Sequence, residues 1–205
     1  MKRIFVLLSM AAAVAAQAKG PSAASMDFGP LAKLPGTWKS VESGGVDVAP
    51  GQADSTIGKG RPSVSPFYEV LTFEPAADAT NASEQYLVAM YYKQEVFRKS
   101  DNKKFHDQRG YLIYDKKNQM VYNSFCVPRA VCVVAEGKAG DKMTLKSLSG
   151  GISESGYMAK NGQTTAFTMT LDLSGTDLKY SQQTALRIYN GTFEHIDSDT
   201  LSRVK

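Results

Sequence analysis

The sequence predicts an all-β protein built as one antiparallel sandwich or barrel. Apolar and polar residues alternate in several short segments, most regularly over residues 165–173, as in strands with one buried face. Turn-forming residues separate these segments at intervals of roughly ten residues. No segment after residue 18 has a sustained helical period. Closure into a barrel would also remove exposed strand edges.

The first 18 residues are predicted to be a signal peptide. Lys2 and Arg3 form a basic start, and residues 4–16 are apolar but too few to span a membrane. The small-x-small sequence Ala-Gln-Ala then ends at Ala18. Later in the chain, no stretch approaches the ~20 apolar residues of a transmembrane helix. We therefore expect a secreted or periplasmic protein, cleaved near Ala18 and without a membrane span.

The remaining chain is predicted to form one domain. Residues 19–33 are a lead-in, and residues 34–205 form the barrel, which is long enough to bury a sizeable core. A single helical turn is predicted over residues 28–34, between two glycine–proline pairs. Removal of the signal peptide reduces the basic count from 24 to 22 against 20 acids, a net charge of about +2. So small and scattered a charge argues against a nucleic-acid surface.

The predicted strands are rich in apolar, β-branched and aromatic residues. They cover residues 67–73, 85–92, 110–114, 120–122, 143–145 and 165–173. Turn clusters lie at residues 115–118, 137–141, 161–162 and 174–177. Two polar insertions, residues 44–61 and 76–84, are interpreted as loops over the barrel ends.

The two cysteines, Cys126 and Cys132, favour a disulfide. On one extended strand their Cα atoms would lie ~20 Å apart, too far to bond. Pro128 instead indicates a turn over residues 127–131, which brings the cysteines face to face across a hairpin. An oxidising compartment permits the bond, whereas the spacing and the lack of a nearby histidine argue against zinc.

His195 is the most informative candidate for chemistry. It is one of two histidines, and it follows a turn signal at the start of the last predicted strand. Neutral imidazole is the commonest protein ligand for transition metals and haem iron. A partly buried histidine that only hydrogen-bonds a neighbour is the other interpretation. A small barrel can likewise be filled by side chains or enclose one ligand, and the composition does not decide between these.

Four segments, in order, resemble motifs of the nitrobindin-like haem-binding β-barrels. They are residues 34–38 (Leu-Pro-Gly-Thr-Trp), 61–67 (Arg-Pro-Ser-Val-Ser-Pro-Phe), 106–112 (His-Asp-Gln-Arg-Gly-Tyr-Leu) and the closing stretch 193–204. The resemblance implies a roughly ten-stranded, calycin or lipocalin-like, up-and-down antiparallel barrel. It also implies haem b near the barrel mouth, with an open iron position reached by nitric oxide or peroxynitrite. Some members are proposed to isomerise peroxynitrite to nitrate.

The resemblance also implies site residues. His195 corresponds to the axial ligand of the iron, and His106 to a pocket residue. Trp38 belongs to the opening motif, and Ser63 stands where the family has threonine. Lys160 belongs to the alanine–lysine pair of a later strand and, with Arg203, is a candidate cation for the haem propionates. No catalytic side chain is predicted.

Besides Ser63, three residues depart from the family pattern. Ser40 and Glu42 replace two glycines of the opening motif, and Gln108 replaces an acidic residue. Asp197 shares a face with His195 if the strand is regular, so it either orients the imidazole or points into water at the rim.

The alternatives to haem are a lipocalin-like carrier of an apolar small molecule without iron and a solid-core interaction barrel. We expect a monomer or weak dimer.

Overall fold

The protein is one sheet of eleven antiparallel strands that closes on itself. A computed structural model describes residues 26–205; the predicted signal peptide and residues 19–25 lie outside the described residues. The strands are β1 (Gly36–Ser40), β2 (Gly45–Pro50), β3 (Pro62–Asn81), β4 (Gln85–Arg98), β5 (Lys104–Asp115), β6 (Met120–Val127), β7 (Val131–Lys138), β8 (Lys142–Glu154), β9 (Gly162–Asp172), β10 (Leu178–Ile188) and β11 (Gly191–Arg203). A 3-10 turn covers Gly29–Lys33, and a four-residue helix, α1, covers Met158–Asn161. The all-β prediction is confirmed.

Ten positions around the ring hold the eleven strands, because β1 and β2 share one. Each of these two strands pairs with both β3 and β11. Trp38 of β1 lies opposite Leu71 of β3, and Gly45 of β2 lies opposite Phe67 further along. Successive strands from β3 to β11 are neighbours, as in an up-and-down barrel.

One end of the barrel is plugged by the N-terminal segment. Leu31 and Leu34 are fully buried there, and the Trp38 indole Nε1 donates a hydrogen bond to the Leu34 carbonyl at 2.8 Å. The Arg203 guanidinium lies 4.4 Å from the centre of the Trp38 ring and donates to the carbonyl of Pro35. The predicted helical turn is therefore present, and it closes this end.

Both predicted loops are partly wrong. Residues 44–61 include strand β2, and β3 continues through most of residues 76–84 to Asn81. In β2 the usual polarity is inverted: Asp47 points inward and is 7% exposed, whereas Val46 points outward. The part of β3 after Phe73 is largely exposed and carries polar residues. Its sequence therefore resembles that of a loop.

The predicted disulfide is present. Cys126 of β6 lies directly opposite Cys132 of β7, with the two Cα atoms 4.1 Å apart, and the sulfurs are bonded. The hairpin tip between them carries Ala130 at a φ of 57°. Among residues 26–205, no helix is long and apolar enough to cross a membrane.

Loss of the disulfide is expected to destabilise the protein only modestly. The double variant Cys126→Ser/Cys132→Ser should lose about 2 kcal/mol, because the bond closes a very short loop. Urea unfolding checks the stability, and thiol labelling of the denatured, non-reduced wild type should find no free cysteine. Two labelled thiols would contradict the prediction.

Gly110 allows close contact between β5 and β6. It is buried, and a Cβ atom added there would overlap the Ser124 carbonyl oxygen and the Phe125 Cβ. Gly110→Ala is therefore expected to lower the free energy of unfolding by about 2–3 kcal/mol. Gly156→Ala is the control, because nothing lies within 4 Å of its added Cβ. Equal stability of the two variants in urea unfolding would refute the expectation.

Candidate functional site

A cavity of two lobes lies at the end of the barrel opposite the plug. The larger lobe, about 300 Å³, has polar residues such as Ser63, Ser65 and Arg98 in its lining. The smaller lobe, about 160 Å³, is mainly apolar. Its wall includes Phe125, Val127, Val131, Val133, Phe167 and Ile188. The cavity shows that the barrel is not filled solid at this end.

His195 lines both lobes and lies next to two carboxylates, one of which is within hydrogen-bond distance. It lies on β11, and its Nε2 is 2.6 Å from Oδ1 of Asp47 on β2. The Asp197 Oδ2 is 3.7 Å from the same nitrogen. Asp47 and Asp197 are cross-strand partners, so the β2–β11 pairing brings both acids to one histidine. Within residues 26–205, the Nδ1 of His195 has no hydrogen-bond partner.

Burial and these charges set the protonation of the cluster. Burial lowers the pKa of His195, but the hydrogen bond that it donates to Asp47 and the negative charges of Asp197 and Asp47 outweigh burial, so the net shift is upward. Burial raises the pKa of Asp197 to about 6, partly offset by the nearby His195. Asp197 thus lies in the cavity and not in water at the rim. At 3.7 Å it makes no hydrogen bond to His195, so the carboxylate that orients the imidazole is Asp47 and not Asp197.

His106 lines the same two lobes from β5. Burial lowers its pKa to about 4, helped by the positive charges of Arg129 and His195. At neutral pH its imidazole is therefore uncharged. It is half-buried, which places it in the pocket and not among the solvent-exposed lysines that precede it.

The other predicted residues divide between the two ends. Ser63 lines the polar lobe, and Lys160 lines an outer groove next to the cavity. Lys160 and its neighbour Ala159 lie in helix α1, so the prediction that they belong to a strand is wrong. Trp38 and Arg203 lie at the plugged end, where they cannot reach a ligand in this cavity.

Sequence reasoning missed two residues of the site. Asp47 lies on the unrecognised strand β2, where alternation of Val46, Asp47 and Val48 was the available signal. Arg129 lies at the tip of the disulfide-bonded hairpin and lines both lobes. Nothing in its local sequence distinguishes it from an ordinary exposed arginine.

Three side chains of the cluster have metal-ligating chemistry. One ligand atom each from Asp47, His195 and Asp197 lie within 4.8 Å of one another. One imidazole and two carboxylates suit borderline or hard divalent cations, and the imidazole alone suits haem iron.

Comparison with known proteins identifies the family. Residues 27–203 match the THAP4-like, heme-binding beta-barrel domain. This chain belongs to that family. The THAP4-like barrel seen here is also similar to the crystal structure of Rv2717c from M. tuberculosis, at 19% identity and a TM-score of 0.56. That similarity covers 85% of this chain and 95% of the other, and it concerns the fold alone. No curated protein matches the sequence.

The family assignment supports haem binding in general, and the residues present fit a haem. Metal-bound histidines almost always donate a hydrogen bond from the second ring nitrogen to a carboxylate or carbonyl. The hydrogen bond between His195 Nε2 and Asp47 is of this kind. An apolar wall beside that imidazole suits a porphyrin. The THAP4-like barrel thus offers both an oriented imidazole and a surface for the ring.

Proposed function

We propose that this protein is exported and that it binds haem b in the open-end cavity, with His195 as the axial ligand of the iron. The observation that carries the proposal is the state of His195. Its imidazole lies on the wall between the two lobes, one nitrogen is fixed by the buried Asp47, and the other makes no hydrogen bond to residues 26–205. The family assignment supports haem as the bound group.

The residues of the chain have distinct parts in this proposal. Asp47 orients the imidazole and increases its electron donation. The apolar wall, with Phe125 and Phe167 in edge-to-face contact at 5.0 Å between ring centres, excludes water from one side of the ligand. His106 remains a neutral pocket residue. When bound, ferric haem supplies a Lewis-acidic iron for a small nitrogen oxide.

The activity that we propose is isomerisation of peroxynitrite to nitrate. This reaction rearranges one anion and needs no electron donor or second substrate. The cavity favours it because its wall shields a bound fragment from bulk water, and an exported protein meets oxidants from outside. Carriage of haem without turnover is the alternative supported by the same residues.

Titration of the purified protein with haemin tests binding. A Soret band that saturates at one haem per chain is expected, and it would separate haem binding from carriage of an iron-free apolar molecule. No uptake would refute the proposal. Stopped-flow measurement of peroxynitrite decay then tests turnover. The decay rate with the holoprotein should exceed the rate with free haem at matched concentration. Equal rates would mean that the protein binds haem without catalysing the reaction.

N-terminal sequencing tests the proposed export. Protein secreted by the native cell should begin near Lys19, after removal of residues 1–18. Mature protein that retains Met1 would contradict the proposal. This result is independent of the haem experiments.

A further inference from the structure

A basic groove lies outside the cavity mouth. It has a volume of about 910 Å³, and four of its lining residues are cationic: Lys59, Arg129, Lys160 and Arg187. No lining residue is acidic. Among residues 26–205, none of the four cations forms an ion pair, although eight other basic side chains do.

The groove continues into the apolar lobe. Five residues line both: Gln52, Arg129, Met158, Gly162 and Ile188. A ligand whose apolar body fills the lobe can therefore extend one edge into the groove. Lys59 is already positioned over the Tyr189 ring, with its Nζ 4.8 Å from the ring centre, so one cation is partly ordered at this edge.

The interior of the cavity carries two carboxylates. Asp47 and Asp197 line it next to His195, whereas Arg98, which also lines it, is paired with Asp101. A ligand carboxylate that pointed inward would face these acids in a medium of low dielectric constant. A carboxylate that pointed outward would meet four cations.

We propose that the groove is an anion subsite that holds the carboxylate edge of an amphiphilic ligand and so fixes the direction in which it enters the cavity. The chemical class is a flat apolar body with carboxylates along one edge, such as a dicarboxylate porphyrin. For haem the inference rests on the proposed function. Arg129 and Arg187 are then recognition residues, in addition to Lys160.

Iron-free protoporphyrin IX tests the subsite without iron ligation. We compare its binding, by fluorescence, with that of its dimethyl ester in wild type and in Arg129→Gln/Arg187→Gln. The double variant should bind the dicarboxylate roughly 30-fold more weakly and lose any preference over the ester. Lys39→Gln/Lys179→Gln is the control for net charge, since both lysines are exposed near the plugged end.

Each outcome bears on one proposal. If wild type takes up no protoporphyrin, or binds acid and ester equally, the subsite is refuted. The same holds if the arginine variant and the lysine control weaken binding equally. If the arginines discriminate as expected but haemin gives no stoichiometric Soret band, the subsite stands and the haem proposal fails. If haemin gives a normal Soret titration but the arginine variant binds protoporphyrin as wild type does, the haem proposal stands and the subsite is refuted.

Discussion

Glu69→Gln is expected to stabilise the folded protein by an amount that grows with pH up to about pH 8. Glu69 is 1% exposed, and burial, with the nearby Asp199 and Asp197, raises its pKa to about 8 from the ordinary 4.5. The hydrogen bond from Gln94 opposes this shift only in part. The folded state therefore holds a proton that the unfolded chain releases near pH 4.5.

The sign of the effect follows from proton linkage. Between about pH 4.5 and 8 the folded wild type binds more protons than the unfolded chain, so its stability falls as the pH rises. At 1.36 kcal/mol per pKa unit, the loss reaches on the order of 4–5 kcal/mol by pH 9. Glutamine keeps the shape and carries no charge, so the variant should escape this loss.

The carbonyl oxygen of a glutamine at position 69 can keep the hydrogen bond that Gln94 donates. The Gln94 Nε2 donates to Glu69 Oε2 at 2.6 Å, and Glu69 Oε1 is buried without a partner among the described residues. Thermal melts from pH 5 to 9 measure the effect. Glu74→Gln, an exposed change on the same strand, is the control and should alter stability by less than about 0.5 kcal/mol. Parallel pH profiles for Glu69→Gln and wild type would contradict the expectation.

His195→Ala is expected to weaken haem binding by at least roughly 100-fold and to abolish the stoichiometric Soret band. The substitution removes the imidazole that Asp47 orients. Asp47→Asn should weaken binding roughly 10–100-fold, because the ligand remains but its orienting carboxylate is lost.

His106→Ala is the matched control. Both histidines line the same lobes, so each substitution enlarges the cavity similarly, but only His195 is proposed to bind iron. His106→Ala should retain haem at one per chain. Equal losses in the two variants would show that cavity shape, and not ligation, determines affinity. Circular dichroism of each variant excludes unfolding as the cause.

The regular parts of the fold follow from sequence patterns because one face of each strand is apolar. The alternation that predicts a strand over residues 165–173 matches β9, and the turn around Pro128 correctly places the cysteines. His195 and Asp197 are two residues apart on one strand, so their shared orientation could also be inferred. These features depend on local periodicity.

The rest of the site depends on contacts that no local pattern reveals. Asp47 was missed because β2 turns its polar face inward, which makes the segment resemble a loop. Trp38 and Arg203 were assigned to the site because the motifs that contain them accompany haem in related sequences. Their position along the strands places them at the plugged end, and only the register shows this.

Chemical rescue tests ligation by His195 most directly. His195→Gly is titrated with haemin, first alone and then with added imidazole, beside wild type. We expect no stoichiometric Soret band for the variant alone and recovery of the band with imidazole, because the free ligand replaces the missing ring. A variant that binds haem as tightly as wild type without imidazole would show that His195 does not ligate the iron.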